Sequence, residues 1–249
     1  MQYGICNLSI VPLRLEAADT SEMVSQVLYG DIFKILEARK SWCKIRLAFD
    51  KYEGWIDQKQ YLEISKEAYS IINQEIPILS TDLVECVEDD HKQLYSIPLG
   101  SSLNGLQLLN HHFEGHSSNI KQKKEALVNT AFSYLNAPYL WGGKTPFGID
   151  CSGFTQMVYK LNGYKILRDA SQQASQGEAL SFIEESEPGD LAFFDNAEGT
   201  ITHVGIIMRD NYIIHAHGKV RIDRLDHSGI YNVDTRMHTH KLRVIKKII

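Results

Sequence analysis

Cys151 is the residue in this sequence best placed to do chemistry. It follows the glycine-rich stretch Trp141-Gly142-Gly143-Lys144-Thr145-Pro146-Phe147-Gly148-Ile149-Asp150. From it Phe154, Val158 and Leu161 recur at i+3, i+7 and i+10, the spacing of one helical face. Asp150 stands where an N-cap belongs, which puts Cys151 in the first helical turn. The free N–H groups and partial positive charge at that end favour thiolate over thiol, and the thiolate is the nucleophile. This context makes Cys151 a candidate catalytic nucleophile rather than a packing residue.

Such a nucleophile needs a base and a group that orients the base. The chain has 10 histidines, so position along the sequence alone selects none of them. The strand-like runs 202–208 and 211–215 flank the turn-like Arg209-Asp210-Asn211. A hairpin with its loop at 208–210 places His203 directly opposite His215. A loop shorter by one residue shifts the pair by one and requires a bulge. In either register one imidazole lies within reach of the other. His111, His112 and His116 form a loop cluster that lacks the acid or thiol to complete a metal site, so no metal and no cofactor is expected. His217, His227, His238 and His240 are expected to be solvated.

These groups need elements to position them. Residues 31–36, 42–47 and 53–56 read as short strands with close turns, a small barrel over 1–60. Residues 83–87, 93–97 and 106–109 suggest a second barrel over 61–117. The polar run 114–118 reads as a boundary. A helix is predicted over 120–135, ended by Asn136-Ala137-Pro138. After the cysteine helix come strands at 190–194, 203–208, 212–215, 220–223 and 242–249. A helix beside the nucleophile and a following antiparallel sheet make residues 118–249 an α+β domain.

Composition narrows the classes. The 249 residues suffice for one large domain or a few small ones, and 43% hydrophobic with 23% charged content is that of a globular protein. A net charge of −5 argues against nucleic acid or an anionic membrane as partner. No stretch approaches the roughly 20 apolar residues of a membrane span. The start, Met1-Gln2-Tyr3-Gly4-Ile5-Cys6, has neither a basic nor an apolar leader region, from which a cytoplasmic location is expected. Cys6, Cys43, Cys86 and Cys151 form no CxxC pair, and their wide spacing argues against a disulfide framework. Cys43 alternates with Ile45 and Leu47 and reads as a small buried residue.

The residues Tyr139-x-Trp141-Gly142-Gly143-x-Thr145-x-x-Gly148-x-Asp150-Cys151-Ser152-Gly153-Phe154 resemble the NlpC/P60 cysteine peptidases of cell-wall peptides. The likeness continues through Pro188-Gly189-Asp190-Leu191, His203-Val204-Gly205-Ile206 and Ile213-Ile214-His215-Ala216. Residues 21–30 and 52–56 look like a bacterial SH3-like domain. The resemblance implies a papain-like α+β catalytic domain behind one or two SH3-like barrels. It implies Cys151 as nucleophile, His203 as base and later acid, and His215 as orienting residue, with Tyr139 near the oxyanion. The implied substrate is a murein stem peptide with a free N-terminal L-alanine, cut between γ-linked D-glutamate and a diamino acid, in peptide recycling. The diamino acid is diaminopimelate or lysine. Asp150 and Asp169, with Ser152 and Ser171, are the implied amine-binding residues, and Glu22 and Tyr52 the cap over that amine. Ala170 stands where some members of the family carry serine. A monomer acting on this peptide, with neither nucleic acid nor membrane as partner, is expected. The alternatives are a secreted general murein endopeptidase, a wall-binding protein with an inactive peptidase domain, and a Cys–His acyltransferase.

Overall fold

The structure, a computed structural model, describes residues 2–249. The chain forms two compact units, one of residues 1–120 with 141–145, the other of 121–140 with 146–249.

In the first unit the strands Gln2–Ile5, Ile10–Arg14, Met23–Leu28, Ile32–Arg39, Trp42–Leu47, Glu53–Asp57 and Leu62–Ile64 make one seven-stranded antiparallel sheet. Its core follows from strict alternation: Val11 and Leu13, Cys43 with Ile45 and Leu47, and Phe33 with Ile35 all point inward. Residues 61–117, read from the sequence as a second barrel, add Leu62–Ile64 to the first sheet, form a three-stranded sheet from Val84–Asp89, Leu94–Pro98 and His111–Phe113, and pair Leu79–Ser80 with Ser117–Ser118. The predicted strand at 106–109 is a short helix, Leu106–Leu109, closed by Asn110 in the left-handed conformation (φ 52°). Tyr29, in the turn after Met23–Leu28, is fully buried among Val87, Ile97 and Leu103, so a shared core joins the two parts into one unit.

In the second unit six strands close on themselves. Leu191–Asp195, Ile201–Ile207, Tyr212–His217, Lys219–Asp226 and Gly229–Asn232 follow in order, and Met237–Lys247 pairs with both the first and the last of these. Ala192, Phe194, Ile207, Ile213, Leu225, Ile230 and Ile245 share one core. Helix Cys151–Leu161 packs on strands Ile201–Ile207 and Tyr212–His217 and beside helix Ala126–Phe132. Ten consecutive residues of it, Cys151 to Lys160, are buried. The helix predicted over 120–135 is thus shorter than expected, because the lysine-rich run 121–124 leaves its start without an apolar face to bury. No helix among the described residues is long and apolar enough to cross a membrane.

Candidate active site

Asp150 is extended (φ −92°, ψ 175°) and its Oδ1 accepts the Gly153 N–H at 2.6 Å, so the cysteine helix starts where the sequence reading places it. Cys151 is 6% exposed. Its Sγ lies 4.0 Å from the carbonyl oxygen of Thr202, the residue before His203. The approach to this helix turns at Gly142 (φ +76°), where a Cβ would stand 2.3 Å from the Met23 carbonyl oxygen. Glycine is required there on two counts, the positive φ and the close backbone.

The histidine hairpin differs in register from the sequence reading. Ile207 pairs with Ile213 and Gly205 with His215, two residues away from the expected pairing of His203 with His215. The cause is the connection: Arg209–Asn211 makes a helical turn with Asp210 and Asn211 at positive φ (58° and 59°), which lengthens the loop. A shift of two keeps every side chain on its face. The imidazoles therefore meet diagonally, with His203 Nε2 2.8 Å from His215 Nδ1. Gly205 makes room for this. A Cβ on it would lie 2.7 Å from Ile213 Cδ1 and 2.9 Å from His215 Cβ.

The second imidazole nitrogen of His215 meets a group that sequence reasoning missed. His215 Nε2 is 3.0 Å from Asp223 Oδ2, and both side chains are fully buried. Arg221 donates to both oxygens of Asp223, from Nε at 2.7 Å and Nη2 at 2.9 Å, and the Val233 N–H donates to Oδ1 at 3.0 Å. Burial alone would raise the Asp223 pKa, but the bonds from His215, Arg221 and Val233 outweigh it and hold the carboxyl well below the usual range. The alternation Val220-Arg221-Ile222-Asp223 hides it, because it puts Asp223 with Arg221 on the face opposite the apolar residues, where a charge reads as solvated.

His240 also departs from the reading as a solvated residue. It is half-buried and stacks on His203 with ring centroids 4.1 Å apart. His217, His227 and His238 are exposed. Among the described residues no group of three or more His, Cys, Asp or Glu side chains is arranged to hold a metal ion. His111 stacks between Tyr29 and Tyr95. The four cysteines are free thiols.

Burial reverses the expected ionisation. It pushes the Cys151 thiol up to about 12, with Asp150 adding to the rise, against the Val204 N–H, Arg168 and the Ser152 N–H. The helix terminus contributes, but desolvation is larger. Burial, then the neighbouring His215, His240 and His217, lowers His203 well below its ordinary value. Both shifts oppose the thiolate that the helix start by itself favours.

These shifts make stability depend on pH. Burial lowers His215, and lowers His240 to about 4. In the unfolded chain the same groups protonate near 6.5. Between those values the unfolded state binds more protons, so stability is complete above about 6.5 and is lost as pH falls. The urea midpoint is expected to drop between pH 7 and pH 5, and to drop less in His240→Asn. Equal drops in the two proteins would refute this account.

The residues assigned to amine binding are disposed differently from one another. The Asp150 carboxylate meets Arg168 in a bidentate pair, Nη1–Oδ1 at 3.0 Å and Nη2–Oδ2 at 2.6 Å, and Arg168 is 1% exposed. Arg168 also donates to Ser152 Oγ at 2.9 Å. Asp150 is therefore a cap whose charge is paired with Arg168. Asp169 is half-buried at the start of helix Ala170–Gln173, its N–H donating to Gln172 Oε1 at 3.1 Å, and Ser171 is exposed on that helix. Tyr139 is half-buried, its hydroxyl pKa raised by burial and then by Cys151 and Asp150. In the first unit, exposed Glu22 accepts the Trp141 indole N–H at 2.6 Å, and Tyr52 packs half-buried against the barrel core.

A cysteine opening a buried helix, packed on an antiparallel sheet that carries hydrogen-bonded imidazoles, is the architecture of a papain-like thiol peptidase. The chain carries an NlpC/P60 domain, matched over residues 136–239, and before it a bacterial dipeptidyl-peptidase SH3 domain, matched over 13–60. It is 29% identical to dipeptidyl-peptidase 6 of Lysinibacillus sphaericus, covering 83% of this chain and 85% of that one. It is 28% identical to the γ-D-glutamyl-L-lysine dipeptidyl-peptidase of Bacillus subtilis, covering 82% and 75%. The crystal structure of an NlpC/P60 family protein from Bacillus cereus matches with a TM-score of 0.78 at 21% identity, over 99% of each chain, a likeness of fold.

Proposed function

We propose that this protein is a cysteine endopeptidase of the dipeptidyl-peptidase VI type. It hydrolyses the bond between γ-D-glutamate and the diamino acid in murein peptides that begin with a free L-alanine, and it serves peptide recycling in the cytoplasm. The observation that carries this reading is the His203–His215 pair, hydrogen-bonded at 2.8 Å, on the two adjacent strands against which the Cys151 helix packs. Support for the substrate class comes from two curated relatives, each matching over four-fifths of the chain, that are named dipeptidyl-peptidases.

In this reading His203 takes the Cys151 proton as Sγ attacks the γ-carbonyl carbon, burial opposing a charge on either group beforehand. The tetrahedral oxyanion is held by the Cys151 N–H and the Tyr139 hydroxyl. His203 then gives its proton to the departing amine, leaving a thioester. Water, deprotonated by His203, attacks the thioester and restores the thiol. His215 holds the His203 ring throughout. Asp169, with Ser171 and the Ser152 hydroxyl, is assigned to the substrate amine.

Mass spectrometry of L-Ala-γ-D-Glu-diaminopimelate, and of the lysine peptide, after incubation tests the cleavage directly. Acetylating the N-terminal alanine is expected to cut kcat/KM by about 30-fold, since stranding a paired charge costs roughly 2 kcal/mol or more. Asp169→Asn should narrow that ratio. Equal rates on free and acetylated peptides would move the reading to a general wall endopeptidase.

A further inference from the structure

We propose that Asp223 is a positioning residue that sets the tautomers of both histidines and so decides which nitrogen of His203 receives the thiol proton. The inference rests on the peptidase reading for its consequence, though not for its geometry.

The argument is one of donors and acceptors. An ionised carboxylate only accepts hydrogen bonds. Asp223 is fully buried, and every other contact on it is a donor: Arg221 Nε and Nη2, and the Val233 N–H. The remaining group facing it, His215, must then donate as well, its Nε2 carrying the proton toward Oδ2 at 3.0 Å. A neutral imidazole has one N–H, so His215 Nδ1 is left with a lone pair. That lone pair faces His203 Nε2 at 2.8 Å, which must therefore be the N–H of His203. The proton-accepting nitrogen of His203 is thereby Nδ1. The chain of roles runs in one direction, from the carboxylate through His215 to His203, across three adjacent strands.

The same arrangement serves the charged state. When His203 accepts a proton, its Nε2–H is already held by His215 Nδ1, and no ring has to turn. Arg221 keeps Asp223 ionised, so the terminal group cannot become a donor and reverse the order. Arg221 reaches past Asp223 to Asp234 at 2.8 Å, which anchors the guanidinium from the exposed side.

Asn in place of Asp223 has the same shape but presents an amide NH₂. Placed at Oδ2, it donates to His215 Nε2, moves that ring's proton to Nδ1 and blocks the acceptor that His203 needs. The comparable aspartate-to-asparagine change in a serine-protease triad costs about 10⁴ in kcat through a wrong tautomer.

The test is ¹⁵N NMR of the histidine rings, with His203 and His215 assigned through their own Asn variants. In the unsubstituted protein at pH 7 both rings should be neutral with the proton on Nε2. Asp223→Asn should move the His215 proton to Nδ1 and lower kcat on the tripeptide by about a hundredfold or more, with KM little changed. A proton on His215 Nδ1 in the unsubstituted protein overturns the proposal, whether or not the variant folds. A folded Asp223→Asn variant with unchanged tautomers and kcat also overturns it. If the tautomers are as stated but the unsubstituted protein cleaves no murein peptide, the positioning inference survives and the peptidase reading falls.

Discussion

Replacing Cys151 with alanine is expected to reduce hydrolysis of the tripeptide to less than about one hundredth, with the fold unchanged. The thiol is the only group here that can form the covalent intermediate, and water is a far weaker nucleophile without it. Cys151 is held in place by the capped helix, so removing one sulfur atom leaves the Asp150–Gly153 cap and the buried helical face intact. His203→Ala should lose a similar factor, because a thiol lifted to about 12 by burial has no thiolate of its own at neutral pH. The assay is product formation by mass spectrometry, with circular dichroism as the fold control. A Cys151→Ala protein retaining a tenth of the rate would exclude this nucleophile. His215→Ala should lose less, since water replaces part of an orienting bond.

Arg168→Met is expected to lower the unfolding free energy by about 3–5 kcal/mol. Arg168 and Asp150 are 1% and 7% exposed and joined by two hydrogen bonds, so the variant leaves a buried carboxylate without its counter-charge. Domains have only 5–15 kcal/mol in total, so the loss is large. Pairing the change with Asp150→Asn removes the stranded charge and should recover a substantial part, since Asn also caps helices well. Urea unfolding of the three variants measures this. A single variant as stable as the parent would show that solvent reaches Asp150 and that the pair contributes little.

What was legible in the sequence was local. The cap at Asp150, the apolar repeat Phe154, Val158 and Leu161, and the turn glycine at 142 each act within a few residues or through a backbone conformation. Those short-range rules also put His203 and His215 on neighbouring strands and on one face, because strand side chains alternate and a register shifted by two keeps the face. The strands of residues 1–60 announced themselves the same way, by apolar residues at every second position.

Tertiary structure decided everything that depends on separation and solvent. The register of the histidine hairpin was set by a helical turn with two residues at positive φ, which apolar alternation does not encode. Asp223 reaches His215 only because a third strand pairs beside the second, and Arg168 reaches Asp150 across 18 residues only once the loop between them folds back. Residues 61–117 carried the alternation of a barrel, but Tyr29, from the turn after Met23–Leu28, fills their core, and a shared core cannot be seen in either segment alone. Ionisation was the largest reversal: the helix start favours thiolate, yet desolvation scales with burial, and burial is a property of the whole packed unit. Spacing along the chain determined which groups were available for chemistry, and packing determined their partners, their protons and their order.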